Sequence, residues 1–312
     1  ALVDPLARHV RSGGRRRMKP ARTSVVARPP VRGRRVLVRD LVDAAMKRLD
    51  DPASPVDPVV ILEGPRGMGK STVLAELKRR LLLERASAGR DLPQFLEGDL
   101  RELLARAAQQ GSGSGILSGW IEGAGEGPPV TEMVHALSDR SLASTGAILI
   151  LRDVDELAAR VLAGLAGRLI DADGAPVPLM VMAERDTDVG GGTSVELDGL
   201  DGLRIQKLGP LGATHVDRIA RFMMGPDAGD EAVQDVVERS GGNPLYAMEL
   251  AQMMASSPRR GRASPGTLKE LLERVLEDLE PEELGLLQAL CLAPSRMDAS
   301  LLAEVLGRME GV

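Results

Sequence analysis

The chain has 312 residues, a formal net charge of −5 and a hydrophobic share of 43%, which is enough for about two domains with cores of their own. Aromatic residues make up 1% of the chain, which excludes a site that stacks several nucleic-acid bases on rings. The single cysteine excludes internal disulfide bonds and a cysteine-based zinc site.

The first 35 residues are strongly basic. They contain eleven Lys or Arg and one acidic residue, Asp4, whereas the remainder carries 29 basic and 44 acidic residues. Gly-Gly, Pro-Pro and the lack of a sustained period predict a mostly disordered arm. Such an arm can contact DNA, an acidic partner or the acidic body, or be a solvated linker. An Arg-rich, acid-poor start is also typical of organellar transit peptides.

Neither a membrane span nor a secretory signal is recognisable in the sequence. No apolar run approaches the ~18 residues that a membrane span needs, and the N-terminal residues lack the apolar core of a signal peptide. We therefore expect a cytoplasmic protein that makes no membrane contact.

The first elements of the body are a helix, a strand and a second helix. Apolar residues recur at helical spacing between residues 36 and 49. The apolar run Val59 to Leu62 predicts a short buried strand. A glycine-rich loop follows, and then a helical pattern extends to about Ala86.

The loop from Gly64 to Ser71 fits the pattern G-x-x-x-x-G-K-[ST], between the strand and helix that this pattern requires. Backbone N–H groups and the dipole at a helix N-terminus attract a phosphate chain. Lys70 would reach the terminal phosphates, and the Ser71 hydroxyl can ligate Mg²⁺. The alternative, a glycine loop that binds nothing, is disfavoured by this context. The predicted nucleotide-binding residues are Gly64, Pro65, Arg66, Gly67, Met68, Gly69, Lys70, Ser71 and Thr72.

The next stretch carries weaker signals. Residues 92–97 predict a second strand, and residues 99–108 and 131–142 predict helices. The glycine-rich stretches 111–115 and 123–129 lack the strand-and-helix context of a nucleotide loop, so we interpret them as loop.

Acidic residues follow the second strong strand. The run Ala147 to Leu151 is continuously apolar, as buried parallel strands are, and its carboxyl end should lie beside the phosphate loop. Asp153 is then a candidate outer-sphere partner of Mg²⁺. Glu156 is a candidate base or water-orienting group, with Asp155 as a second candidate. The alternative is that these acids only favour the start of the helix 156–170.

A third strand is predicted at residues 177–183 and a last one at residues 203–208. Arg185 follows the third strand, at the same expected sheet edge as Asp153. There it could sense a γ-phosphate, or it could be an ordinary solvated arginine.

After residue 212 the pattern becomes helical. Thr214 and Asp217 have the spacing of a capping box, with Asp in place of Glu or Gln. A second helix is predicted at residues 230–240. A third helix begins at Pro244, since proline is favoured at the first helical position.

The order of these blocks resembles signalling ATPases of the STAND class, which are related to AAA+ proteins and include LuxR-type, NACHT and NB-ARC regulators. The blocks are the phosphate loop, Leu151-Arg-Asp-Val-Asp-Glu156, Ala183-Glu-Arg185, Leu208-Gly-Pro-Leu211 and Ser240-Gly-Gly-Asn-Pro244. The tail after residue 268 is similar to the winged-helix segment of that class.

The resemblance implies roles for individual residues. Lys70, Ser71, Asp153 and Glu156 would serve ATP and Mg²⁺. Arg185 would be the first sensor of the γ-phosphate. Pro244 would contact the nucleotide from a helical lid. The family often has Gly-Arg-Glu near the adenine, whereas this chain has Val38-Arg39-Asp40, so Arg39 is the candidate for that contact.

The resemblance also implies an architecture. We expect an α/β fold of the P-loop NTPase type, AAA+-like, with a parallel sheet sandwiched by helices. A helical lid and a winged-helix-like module would follow the sheet. The predicted divisions are a basic arm at residues 1–35, the nucleotide-binding domain at 36–211, the lid at 212–256 and the module at 257–312.

The function implied is an ATP-binding, slowly hydrolysing switch that is closed with ADP and open with ATP. It would control homo-oligomerisation and an effector or transcriptional output outside this chain. Two alternatives stay open. One is a DNA-engaging AAA+ ATPase of the origin-recognition or loader type, and the other is a nucleotide-stabilised scaffold without turnover.

Overall fold

A computed structural model describes residues 33–107, 129–138, 146–170, 177–188 and 196–256, together with residues 281–292 and a few positions between 270 and 279. All of these residues belong to one unit by their internal contacts. None of the described helices is long and apolar enough to cross a membrane.

Five strands form a single sheet. They are β1 Val59–Gly64, β2 Gln94–Gly98, β3 Ala147–Leu151, β4 Leu179–Asp186 and β5 Leu203–Lys207. Their order across the sheet is β2-β3-β4-β1-β5, and every pair is parallel. The acid-bearing strand β3 is therefore separated from the loop-bearing strand β1 by β4.

Nine helices accompany the sheet among the described residues. They are α1 Arg35–Asp50, α2 Lys70–Ser87, α3 Leu100–Ala107, α4 Val130–Leu137, α5 Glu156–Ile170, α6 Ala213–Met224, α7 Asp230–Ser240, α8 Pro244–Ser256 and α9 Pro281–Leu292.

Helices cover both faces of the sheet because side chains alternate along each strand. Met180 and Met182 of β4 lie in one apolar core with residues of α1 and α2. Val181 and Ala183 lie in a second core with residues of α3, α4 and α5. The predicted parallel sheet sandwiched by helices is thus confirmed.

Helices α6, α7 and α8 form a third core of their own, which we call the α6–α8 bundle. Its buried residues include Val216, Ile219, Val236 and Leu250. The described part of the chain therefore contains a two-sided sheet and a separate helical bundle.

Two local predictions were wrong. The strand β4 was predicted to end at Ala183, but it continues to Asp186 because it stays paired with β1 through Gly64. The capping box at Thr214 does not form. Gly212 is the residue before α6, without a side-chain cap, and Asp217 pairs with Arg221 one turn later.

Several other predictions lie outside the described residues. They concern the basic arm before residue 33, the glycine-rich stretches between residues 108 and 128, and most of the predicted winged-helix-like module, of which α9 is described.

Candidate nucleotide-binding site

The phosphate loop, which we define as residues 64–69, joins β1 to α2 as the sequence motif predicted. Lys70 is the first residue of α2, and its side chain is 6% exposed. Its Nζ atom donates hydrogen bonds to the carbonyl oxygens of Gly64, at 2.6 Å, and Pro65, at 2.9 Å. The lysine is therefore folded under the loop, where its charge and the α2 dipole both favour an anion.

Asp186 lies against the cationic groups of this loop. Its Oδ1 is 2.6 Å from Lys70 Nζ, and its Oδ2 accepts a hydrogen bond from Arg66 Nε at 2.9 Å. Burial raises the pKa of this carboxyl group, but hydrogen bonds from Lys70 and Arg66 outweigh it and leave the pKa below its ordinary value. Asp188 accepts a further bond from the Arg66 N–H at 3.0 Å. Two carboxylates thus already contact groups of the loop that attract anions.

Glu184 contacts the second functional residue of the motif. Its Oε2 accepts a hydrogen bond from Ser71 Oγ at 2.7 Å. Burial raises the pKa of Glu184, and the Ser71 hydrogen bond only partly offsets it. The other carboxylate oxygen, Oε1, is buried and has no hydrogen-bond partner among the described residues.

These oxygen groups fit Mg²⁺. The Ser71 hydroxyl, the Glu184 carboxylate with its unpaired buried oxygen, and Asp153, whose charge also acts on Glu184, are the hard donors that this ion prefers. The described residues contain no cluster of three or more acidic, His or Cys side chains that could hold a metal alone. This donor set suits an ion that is held jointly by a protein and a phosphate chain.

The acidic residues after β3 have local structural partners. Asp153 has a left-handed backbone, with φ of 55°, and is exposed. Asp155 Oδ1 accepts a hydrogen bond from the Ala158 N–H at 2.7 Å, so it caps α5. Glu156 is half exposed and forms an ion pair with Arg160 one turn along the helix. Asp155 and Glu156 therefore both make contacts that stabilise the start of α5.

The remaining predicted site residues are dispersed. Arg185 lies at the expected sheet edge and pairs with Glu63 at 3.6 Å. Arg39 is exposed on α1 beside Asp40. Thr72 is exposed on α2, and Pro244 is partly buried as the first residue of α8.

The turn before α8 touches the phosphate loop directly. Asn243 Nδ2 donates a hydrogen bond to the Arg66 carbonyl at 2.9 Å, and the Leu245 N–H donates to the Gly67 carbonyl at 3.3 Å. Sequence reasoning missed Asn243, Glu184 and Asp186. A Gly-Asn-Pro turn was visible in the sequence, but nothing local indicated that it would meet this loop.

No family model matches the chain, and no curated protein matches it. Solved structures are similar to it at low sequence identity. The ORC2 protein of Aeropyrum pernix, solved as ADPNP-ADP complexes, is 18% identical to this chain. The alignment covers 89% of this chain and 80% of ORC2, with a TM-score of 0.48. The ORC1 protein of the same organism, solved in complex with DNA, is 16% identical; the alignment covers 92% of this chain and 79% of ORC1, with a TM-score of 0.49. PCH-2 of C. elegans is 12% identical; the alignment covers 78% of this chain and 69% of PCH-2, with a TM-score of 0.44. Similarity at this level assigns no ligand, so function has to be inferred from this chain's own site.

The raised pKa of Glu184 predicts how stability depends on pH. A carboxyl group whose pKa is higher in the folded state holds its proton more tightly when folded. The contribution of this group to the free energy of unfolding is complete below its ordinary pKa of 4.5. That contribution is lost as the pH rises through the higher pKa of the folded state. We expect Glu184→Gln to gain stability over the wild type as the pH rises from 4 to 8, measured by urea unfolding in EDTA without nucleotide.

In the control variant, at Glu76, stability should depend on pH in the opposite direction. Hydrogen bonds from Arg79, together with Arg80, lower the pKa of Glu76 to about 2 against the burial that raises it. Its stabilisation is present above pH 4.5 and is lost as the pH falls toward 2. Glu76→Gln should therefore lose stability relative to the wild type as the pH rises from 2 to 5. Equal pH profiles for the two variants would contradict the assignment for Glu184.

Proposed function

We propose that this chain binds ATP and ADP with Mg²⁺ at the phosphate loop and hydrolyses ATP slowly. One observation carries the proposal. The loop that fits the motif joins a central parallel strand to a helix, and its lysine is buried under it with hydrogen bonds to two loop carbonyls. This arrangement offers a phosphate chain backbone N–H groups, a helix dipole and a positive charge together.

The proposed reaction uses residues from three strand ends. Water attacks the γ-phosphorus, the bond from that phosphorus to the bridging oxygen breaks, and ADP leaves with the electron pair. The proton of the water passes to a carboxylate, for which Glu156 is the first candidate and Asp155 the second. Lys70 neutralises charge on the terminal phosphates, and Arg185 senses the γ-phosphate from β4. The Ser71 hydroxyl, with Asp153 behind it, would hold Mg²⁺, which shields the phosphate charge when bound.

The rest of the nucleotide would lie between the loop and the bundle. The loop residues from Gly64 to Thr72 enclose the phosphates, Arg39 is proposed near the base, and Pro244 contacts the nucleotide from the α6–α8 bundle. The resemblance to STAND proteins supports a switch that is closed with ADP and opened by ATP, with self-association in the open state. The contact between the bundle and the loop supports such a coupling.

A second candidate is a DNA-engaging ATPase of the origin-recognition or loader type. The observation that favours it is the charge of the first 35 residues, eleven Lys or Arg against one Asp. Positive charge of this density binds DNA phosphates with release of counterions.

The nucleotide assignment predicts the effect of Lys70→Ala. Losing a buried charged partner should weaken binding of a fluorescent ATP analogue by about 100-fold or more. The wild type as purified should release close to one ADP per chain on denaturation, and the variant none, as measured by chromatography. Lys78→Ala removes a half-exposed lysine of the same helix and should bind normally. Full affinity in Lys70→Ala would refute the site.

The proposed hydrolysis predicts that a change at Glu156 affects ATP cleavage rather than nucleotide binding. In a single-turnover assay, Glu156→Gln should slow ATP cleavage by roughly 100-fold or more while binding persists. Asp155→Asn keeps the cap on α5, because Asn caps as well as Asp, and so tests the charge of Asp155 alone. Glu84→Gln, at an exposed position of α2, is the control. A wild type that binds ATP without cleaving it would be a nucleotide-stabilised scaffold.

The second candidate predicts salt-dependent DNA binding through the arm. Deleting residues 1–32 removes nine basic residues and leaves α1 intact. If this candidate holds, duplex DNA should bind the whole chain, with an affinity that falls by about 1,000-fold or more between 50 and 200 mM salt, and the deletion should abolish binding. Fluorescence anisotropy measures both. Absence of DNA binding by the whole chain would favour the switch.

A further inference from the structure

The α6–α8 bundle holds the phosphate loop by its carbonyl groups. Asn243 Nδ2 donates to the Arg66 carbonyl at 2.9 Å, and the Leu245 N–H donates to the Gly67 carbonyl at 3.3 Å. We call these two hydrogen bonds the loop–bundle contact. Both acceptors belong to the middle of the loop whose N–H groups would face a phosphate.

The direction of the carbonyls fixes the direction of the N–H groups. In a planar trans peptide the C=O of one residue and the N–H of the next point in opposite directions, and the described residues contain no cis peptide. When the Arg66 carbonyl points to Asn243, the Gly67 N–H must point away from the bundle. The Met68 N–H, beyond the second held carbonyl, donates a hydrogen bond within the loop, to the Pro65 carbonyl at 3.4 Å. The contact therefore turns the Gly67 N–H toward the side of the loop opposite the bundle, where it is available to a phosphate.

Asn243 combines this contact with a second one. Its Oδ1 accepts hydrogen bonds from the Tyr246 N–H, at 3.2 Å, and from the Leu245 N–H, at 3.0 Å, which is thereby shared between Asn243 and the Gly67 carbonyl. These are the bonds of a helix N-cap, so Asn243 is fixed by the start of α8. Because the cap uses Oδ1, Nδ2 remains to donate to the loop. A single side chain thereby joins the helix of the bundle to the phosphate loop.

The approach of the two segments leaves no room for a side chain at Gly67. A Cβ there would lie 2.6 Å from Asn243 Oδ1 and 2.9 Å from Leu245 Cβ. Gly67 also has φ of +81°, which L residues rarely adopt. The third loop glycine, Gly69, has a similar φ of +89°, but a Cβ there would meet nothing within 4 Å. The two positions thus share backbone strain and differ in the collision with the bundle.

The turn is also joined to the chain that leaves the sheet. The Leu211 N–H donates a hydrogen bond to the Gly242 carbonyl at 2.8 Å. The residues before α8 are therefore hydrogen-bonded both to the segment after β5 and to the phosphate loop. A displacement of the bundle would have to change the contact to the loop.

We propose that Asn243 is a positioning residue that keeps the phosphate loop in its anion-binding form, so that nucleotide affinity depends on the bundle being docked. The inference rests on the proposed nucleotide-binding function of the loop. By linkage, a nucleotide that prefers the oriented loop stabilises the docked bundle by the same factor. Asn243 acts through the loop backbone and needs no contact with the nucleotide.

The first test is a series at position 243. Asn243→Ser retains a capping oxygen but cannot reach the Arg66 carbonyl, and Asn243→Asp retains the cap while opposing that carbonyl with a negative oxygen. We expect Kd for ADP to rise about 3- to 10-fold in the Ser variant, as for loss of one hydrogen bond, and further in the Asp variant. Without nucleotide, hydrogen exchange at the amides of residues 66–68 should quicken in both, although α8 remains helical.

The second test compares the two glycines. Gly67→Ala should undock the bundle and quicken hydrogen exchange at the amides of residues 245–247 without nucleotide. Gly69→Ala, which imposes similar backbone strain without the collision, should leave exchange there unchanged. Equal effects of the two substitutions would overturn the inference.

The outcomes separate this inference from the proposed function. If the wild type binds ADP, and Asn243→Ser binds it equally with unchanged loop exchange, the positioning role of Asn243 is refuted and the nucleotide site stands. If the wild type binds no nucleotide, the proposed function fails. In that case faster loop exchange in the variant still supports the contact, and unchanged exchange refutes it.

Discussion

The alternation of side chains along β4 decides which charges meet the phosphate loop. Met180 and Met182 lie in the core beneath α1 and α2, so Glu184 and Asp186 follow on that side, where Ser71 and Lys70 begin α2. Arg185 points to the other face and pairs with Glu63. A slip of one residue in the pairing with β1 would exchange these faces. The register therefore gives the loop two acidic neighbours and leaves the arginine at the sheet edge.

This placement changes what nucleotide binding requires electrostatically. An ammonium group as buried as that of Lys70 is costly unless it is paired and hydrogen-bonded, and Asp186 with two loop carbonyls meets that requirement. A phosphate that reaches Lys70 and Arg66 replaces one anionic partner with another. The binding free energy that the phosphate gains from these two cations is then smaller than it would be if neither cation had an anionic partner. The backbone N–H groups and the α2 dipole still attract the phosphate. Under the proposed function, such a balance would favour exchange of the bound nucleotide.

What could be predicted from the sequence is what depends on nearby residues. The apolar run of β3 and the loop motif of β1 and α2 are local signals, and both were placed correctly. The end of β4 was missed because Glu184 and Asp186 are charged, although pairing with β1 continues through them. Asp186 lies 120 residues from Arg66, and Asn243 lies 177 residues from it. No periodicity or spacing connects positions so far apart, and only the fold brings them together.

The separation of the apolar cores bears on whether the bundle can move. The core of the α6–α8 bundle is distinct from both cores of the sheet, so a displacement of the bundle would leave all three intact. Polar contacts such as the bonds of Asn243 and Leu245 to the loop contribute about 0.5 to 1.5 kcal/mol each. A ligand can shift a two-state equilibrium only by its difference in affinity for the two states, and a factor of about 10⁴ corresponds to about 5.5 kcal/mol. The summed free energy of a few such hydrogen bonds is small enough for a ligand to offset. The free energy of apolar surface buried on the scale of a core would be too large. Under the proposed function, a bundle with a core of its own that bonds the loop through Asn243 and Leu245 is therefore an element whose position a nucleotide could change.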